Sequence, residues 1–333
     1  MRPIEYARPE TVGEAVELLS EHDGATAVLA GGTDLIYLMQ KDVLDPPPRR
    51  LVDLKNIPEL QDIRQQDDRL VIGACCTLEQ IADSPLTAPL RALHDVIDGI
   101  RSIQVQQMGT IGGDLCHLPN CWYFRNGYGL LALNEGRSLV ESGENRYHAI
   151  FGNQGPAKFV SASRFAPALI ACGASVRIVG PQPDQQETVP LEYFYVAPKT
   201  NRQGVTILKP GQFLSHVIVP LARPLQTATY EVLQIEGLDW PLAAAAAALH
   251  VEGGVVRDAR IVMGHVAPVP WIADAAARFL VGRSIDEDSA QRAGEMAVAG
   301  ATPLSQNAYK VQLARTAVKR AVLKAAGLLE GGV

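Results

Sequence analysis

Apolar residues along the chain fall in short runs, broken by polar and glycine-rich punctuation. Residues 11–22 carry Ala15, Leu18 and Leu19 on one helical face, with Thr11 as N-cap and Glu14 three residues on, as in a capping box. Ala25–Ala30 predicts a short buried strand, and Leu35–Gln40 a helix ended by Asp45-Pro46-Pro47-Pro48. Arg50–Leu54 predicts another strand, so residues 1–58 form a first small α/β unit. Residues 59–200 form a second unit. Arg69–Ala74 alternates as a strand, Thr77 starts a helix, and Pro85–Ile100 is helical. A polar, irregular loop over 116–160 interrupts the unit. Ala168–Ala174 then reads as helix, Ser175–Val179 as strand, and Gly180–Asp184 as a hairpin-like loop.

From about residue 201 the pattern changes. Val217–Pro220, Thr227–Leu233, Leu249–Glu252 and Ala259–Met263 read as strands, with Gly253-Gly254 turning between Glu252 and Val255. Helices are expected over 286–299 and 309–327. The second repeats Val311, Leu313, Ala314, Ala317 and Val318 at helical spacing, which marks a core face rather than a partner surface. Residues 201–333 therefore make a C-terminal unit.

Composition narrows the classes. The 333 residues are 47% hydrophobic with a formal net charge of −6 and no long basic block, which excludes a nucleic-acid binder. The longest smooth apolar stretch, Pro241–Leu249, is too short to span a bilayer. The first residues lack an apolar signal region, so a cytoplasmic protein is expected. Five cysteines, an odd count, argue against a disulfide framework.

Two glycine turns stand out. One is Leu29-Ala30-Gly31-Gly32-Thr33-Asp34-Leu35-Ile36; the other is Gly109-Thr110-Ile111-Gly112-Gly113-Asp114-Leu115. Such turns expose main-chain N–H groups to phosphate oxygens, and two of them suit a diphosphate held from both sides. Neither matches the dinucleotide fingerprint or a Walker loop. A Gly-Gly pair also serves as a plain tight turn, and that reading stays open. Thr33, Thr77 and Thr110 offer hydroxyls. Asp34 and Asp114, ill-suited to phosphate, are expected to cap backbone N–H groups or accept from ribose hydroxyls.

With these turns the chain resembles the FAD-binding medium subunits of molybdenum hydroxylases of the xanthine dehydrogenase and carbon monoxide dehydrogenase type. The turns resemble that family's two FAD loops, with Asp114 where Asn is usual. Leu238-Asp239-Trp240-Pro241-Leu242, Gly264-His265-Val266-Ala267-Pro268 and Thr302–Lys310 are similar to its C-terminal domain, with His265 where glycine is common. The resemblance implies an α+β fold: two α/β subdomains that hold FAD, then a domain with a three-stranded antiparallel sheet and a helix bundle. It implies FAD contacts at Leu29, Ala30, Gly31, Gly32, Thr33, Asp34, Leu35, Ile36, Thr77, Gly109, Thr110, Gly112, Gly113, Asp114, Arg164 and Leu208. It also implies an iron–sulfur small subunit with two [2Fe–2S] clusters and a molybdopterin large subunit as partners, in a dimer of heterotrimers. This subunit would pass electrons from the clusters through FAD to an external acceptor.

Cys116-His117-Leu118-Pro119-Asn120-Cys121 and Tyr147–Gly152 resemble a branch with an inserted [4Fe–4S] loop, the branch of 4-hydroxybenzoyl-CoA reductase and aldehyde oxidoreductases. Four thiolates are needed, and no further cysteine follows Cys121 before Cys172, so a loop without a cluster is expected. The alternative is a mixed site completed by His117 or His148. Arg164 stands where the family has an acid, and Glu231 lies where it places basic residues near the flavin. Loss of that cation predicts a lower flavin potential or weaker flavin binding. These departures keep a second reading open, a flavin-free structural or assembly subunit. A stand-alone flavin oxidase comes third, because the histidines are scattered and the C-terminal unit is short.

Overall fold

The structure is a computed structural model that describes residues 3–21, 25–235 and 239–329. His22, at the end of the first expected helix, and Leu238, in the Asp-Trp-Pro motif, lie outside these residues. Among the described residues no helix is long and apolar enough to cross a membrane.

The first sheet is parallel, with β1 (Glu5–Ala7), β2 (Thr26–Leu29) and β3 (Arg50–Asp53) in the order β1-β3-β2. Central β3 is buried throughout and pairs Val52 with both Ala7 and Val28. Helix α1 (Val12–Ser20) packs Ala15, Val16 and Leu19 against it. Thr11 caps α1 as expected, but Glu14 reaches back to the N–H of Glu10 rather than to Thr11. Helix α2 (Leu35–Gln40) follows the first glycine turn.

The second sheet is antiparallel, in the order β4-β5-β10-β8-β9. Its strands are β4 (Ile63–Gln66), β5 (Arg69–Gly73), β8 (Ser175–Val179), β9 (Gln186–Pro190) and β10 (Phe213–Pro220). Strand β10 is the central one, hydrogen-bonded to β5 and β8. Pairing thus keeps the chain in this sheet to Pro220, beyond the break expected at 200. Val217 and Val219 drive this, because both are fully buried in the second unit's core. Helices α3 (Leu78–Asp83) and α4 (Arg91–Gly99) follow β5; Thr77 and Gln80 close a full capping box on α3. Next come α5 (Ile103–Met108) and α6 (Ile111–Leu115), which encloses most of the second glycine turn. The inserted segment contains α7 (Trp122–Arg125), a hairpin of β6 (Leu133–Asn134) and β7 (Arg137–Ser138), and α8 (Leu139–Ser142). It rejoins the second unit at α9 (Phe165–Ala171), every residue of which is buried.

The third sheet orders β11 (Gln226–Val232), β12 (Ala243–Glu252), β13 (Val255–Gly264) and a two-residue edge strand β14 (Trp271–Ile272), all antiparallel. The expected three strands are the long ones. Helices α10 (Asp274–Leu280), α11 (Glu287–Val298) and α12 (Tyr309–Ala325) pack on one face. The alanine run forms most of β12. Ala246 and Ala248 join the second unit's core, while Ala243, Ala245 and Ala247 join the helical core. Alanine prefers helix, yet here helices approach both faces of the strand and only small side chains fit between. Polar contacts seat the C-terminal unit on α4: Asp95 accepts from the Thr229 N–H at 2.8 Å, and the Thr229 hydroxyl donates to the Ala92 carbonyl at 3.0 Å.

Candidate functional site

A cleft of about 580 Å3 opens where both glycine turns meet the second sheet and the start of the C-terminal unit. Its volume lies within the range of about 300–1,000 Å3 that suits drug-sized ligands. Ala30, Gly31, Gly32, Thr33, Asp34 and Leu35 line it from one side, and Gly109, Thr110, Gly112, Gly113 and Asp114 from another. Arg164 and Leu208 complete the expected residues at its wall. Leu29 and Ile36 instead pack beside Gly32, behind the turn. Thr77 does not line the cleft either. It bridges to Thr110 and caps α3, which fixes the second turn from below.

The turns touch each other. A Cβ on Gly31 would collide with the carbonyl of Met108, so only glycine lets the two backbones meet there. Gly32 has φ +71°, the left-handed conformation that turns the chain from β2 into α2. Among the described residues the N–H groups of Gly32, Thr33 and Asp34 meet no acceptor. They are the donors that an oxyanion needs.

The second turn differs. Most of its N–H groups are engaged: Ile111 with the Cys76 carbonyl at 3.0 Å, Gly112 with Ala74 at 2.9 Å, and Gly113 with the Thr110 hydroxyl at 3.1 Å. A Cβ on Gly112 would stand 2.7 Å from that of Ala74. The expectation that both turns present N–H groups to a ligand is therefore narrowed here to the N–H of Thr110, which meets no acceptor among the described residues. Docking on Ala74 and Cys76 and capping by Thr110 consume those donors, and Gly112 and Gly113 contribute a bare backbone wall.

The two aspartates also part company. Asp34 caps no backbone group. It takes a forked ion pair from Arg125, at 2.5 and 3.3 Å, and lies 3.5 Å from His117 Nε2. Arg125 also donates to the carbonyls of Leu118 and Pro119, so the inserted segment is strapped to the first turn. Asp114 does cap, accepting from the Ser163 hydroxyl and from the N–H groups of Arg164 at 3.2 Å and Phe165 at 3.1 Å. These are the leading N–H groups of α9. Burial pushes its pKa up, and the Ser163 hydrogen bond opposes that.

Arg164 and Glu231, two separate departures in the sequence, are partners. Arg164 Nε donates to Glu231 at 3.0 Å, and the second guanidinium nitrogen closes the fork. Both side chains are buried. Burial raises the Glu231 pKa, and the guanidinium works against that rise. Arg164 lines the cleft wall and brings a cation to it, paired with Glu231. It is the only lysine or arginine among the described residues lining the cleft.

Sequence reasoning did not assign His117, Asp239 and Trp240 to the cleft wall, nor Arg125 to Asp34. His117 packs edge-on to Trp240 at 4.8 Å. The Asp-Trp-Pro motif was visible, but nothing in its spacing told which cavity it would face. The two cysteines of the inserted segment separate. Cys116 lines the cleft and packs against the second core, whereas Cys121 Sγ lies 3.3 Å from His148 Nε2. His117 is held at Asp34, so the alternative set of ligands does not converge. The other motifs meet around this segment: Asn307 donates to the His148 carbonyl, and Lys310 to those of Tyr147, His148 and His265.

Residues 2–222 match the family described as FAD binding domain in molybdopterin dehydrogenase, and residues 228–325 match the CO dehydrogenase flavoprotein C-terminal domain. The carbon monoxide dehydrogenase medium chain of Hydrogenophaga pseudoflava is 28% identical over 324 residues, 96% of each chain. Caffeine dehydrogenase subunit beta of Pseudomonas sp. (strain CBB1) is 24% identical, covering 86% of this chain and 82% of its own. The structure of quinoline 2-oxidoreductase from Pseudomonas putida 86 superposes with a TM-score of 0.76 at 26% identity, covering 99% of both chains.

Proposed function

This chain belongs to the FAD-binding medium subunits of the molybdopterin dehydrogenases, and from that premise we propose that it is the electron-exit station of a heteromeric molybdenum hydroxylase. It receives electrons from the [2Fe–2S] clusters of a small partner subunit and passes them to an external acceptor. A large molybdopterin subunit meets the organic substrate, and two heterotrimers pair in the cytoplasm. The break at about residue 58 belongs to the same reading, and we set the second break after β10 rather than at 200, because that strand is central in the second unit's sheet.

The observation that carries the reading is the first turn, with three N–H groups free of acceptors beside a cleft free of side chains on its glycine faces. Those donors suit the diphosphate of FAD without a lysine. Thr33, exposed at the wall, adds a hydroxyl. The second turn supplies close backbone approach at Gly112 and Gly113, and Leu208 and Leu214 supply apolar surface. Arg164 faces the cleft with its charge balanced by Glu231, so it orients without adding a net charge. FAD, when bound, supplies reversible one- and two-electron chemistry.

The absorption spectrum of the purified native complex, with iron quantified, tests this. Flavin near one FAD per chain, with iron matching the partner's clusters alone, is the expected result. A folded complex without flavin would instead favour the structural-subunit reading, and iron that follows this chain would mean that Cys116 and Cys121 hold a centre. Gly32→Val should lose FAD, because a branched side chain cannot hold φ +71° without strain.

A further inference from the structure

A second cavity, of about 260 Å3, shares Asp239 and Trp240 with the cleft as common wall. It is smaller than drug-sized sites. Its walls are aromatic: Trp122, Tyr147, Phe159 and Trp240. Trp122 and Tyr147 are 45% and 40% exposed and meet edge to face, ring centres 6.0 Å apart, at its mouth.

Two imidazoles line this cavity without full partners. His148 and His265 are only 3% and 2% exposed. His148 Nε2 meets Cys121, while His148 Nδ1 and His265 Nε2 have no hydrogen-bond partner. Buried polar atoms nearly always have one. His265 also holds φ +60°, a conformation that glycine adopts freely and a histidine does not. Strain and an unmet nitrogen at one residue point to a ligand that meets it.

The charge of the site selects the ligand. Lys310 brings no free cation, because it donates to three carbonyls, those of Tyr147 at 3.1 Å, His148 at 3.2 Å and His265 at 2.8 Å. Burial lowers the pKa of His148 to about 4 and of His265 to about 3, so both stay neutral near pH 7. The Cys121 thiol is pushed up by burial and is neutral as well. Asp239 accepts from the Trp240 N–H at 2.9 Å and disfavours an anion. Lys310 is the cation among these lining residues, but with its N–H groups held by carbonyls it has no donor left for a phosphate or carboxylate.

We propose that this cavity is a second ligand site, for a small, neutral, planar aromatic molecule whose carbonyl or ring-nitrogen group hydrogen-bonds His265 Nε2. The aromatic walls stack or edge against the ring, and the imidazole fixes its orientation. The site does not depend on electron transfer through the neighbouring cleft.

Coumarin, a neutral two-ring lactone, is the probe, titrated calorimetrically into the purified native complex. Saturable binding is expected, at least tenfold weaker in a complex carrying His265→Gly. That variant suits the backbone at φ +60°, so it keeps the fold. Trp122→Ala should also weaken binding, and coumarin-3-carboxylate should bind at least tenfold more weakly than coumarin. No saturable binding, or equal affinity in His265→Gly, overturns the proposal. Flavin is counted in the same samples: flavin absent with coumarin binding intact would sink the electron-transfer reading and leave this site standing.

Discussion

The two glycine turns read almost alike and are held in opposite ways. In the first, the N–H groups of Gly32, Thr33 and Asp34 are free, and Asp34 is tied to Arg125 of the inserted segment. In the second, the Thr110 hydroxyl and the carbonyls of Ala74 and Cys76 take the N–H groups of Gly113, Gly112 and Ile111, and Asp114 is half-buried as the cap of α9. A glycine turn serves a ligand through its N–H groups only where the fold has not already used them. The first turn is a donor site with an external strap. The second is a packed wall whose anchoring continues through Arg164 into Glu231.

The largest test of this contrast is at the end of that anchoring. Glu231→Ala leaves a buried guanidinium without its partner and should cost about 3–5 kcal/mol in urea unfolding. Arg164→Met combined with Glu231→Met should recover most of it, since a buried ion pair and an apolar pair of similar volume are often equivalent. A single variant as stable as wild type would show that the pair is not desolvated as described.

Next is a direct comparison of the aspartates. Asp114→Ala strands the N–H groups of Arg164 and Phe165 and should cost about 2–3 kcal/mol. Asp34→Ala breaks a partly exposed pair and should cost only about 1 kcal/mol. Equal losses would break the contrast between strap and wall.

Acid should act on the second turn rather than the first. His216 lies in β10, whose neighbour Ser215 accepts from the Ala74 N–H, and Ala74 in turn holds Gly112. Burial lowers the His216 pKa to about 4. Below about pH 6.5 the unfolded chain takes up a proton there that the folded chain refuses until about pH 4, so stability falls as pH falls through that window. His148 and His265 add to the same slope. Urea midpoints measured from pH 7 to pH 4 should decline, and His216→Gln should flatten part of the decline. An unchanged slope in that variant would remove His216 from the account.

The smallest effect is at the caps. Thr110→Ala removes the acceptor for the Gly113 N–H and should cost about 1 kcal/mol, read by thermal unfolding. It should also free that N–H toward the cleft, so FAD affinity should hold or rise while stability drops.

Much of the fold was legible because it rests on local chemistry. Helix α2 spans Leu35–Gln40 and β8 spans Ser175–Val179, both as their patterns indicate. The helix expected over Pro85–Ile100 begins only at Arg91, after Pro85 and Pro89, because the residue before a proline is steered away from helical backbone. The alanine strand was not legible. Its propensity is helical, and only the helices on both sides make it a strand of small residues. Strands β1 and β4 carry too few apolar residues for a periodic signal and depend on their neighbours for pairing.

The candidate site divides along the same line. The sequence by itself determined where glycine was needed and which segments would turn, since backbone conformation and the absence of a Cβ are properties of single residues. Its motifs also determined the family. The tertiary structure decided what those residues meet: that Asp34 would find Arg125 and Asp114 would find α9, that Arg164 and Glu231 would neutralise each other, and that the first turn would keep more of its donors than the second. Those outcomes depend on groups far apart in the chain whose distance and burial only packing sets, and hydrogen-bond and ion-pair strength follow distance and burial.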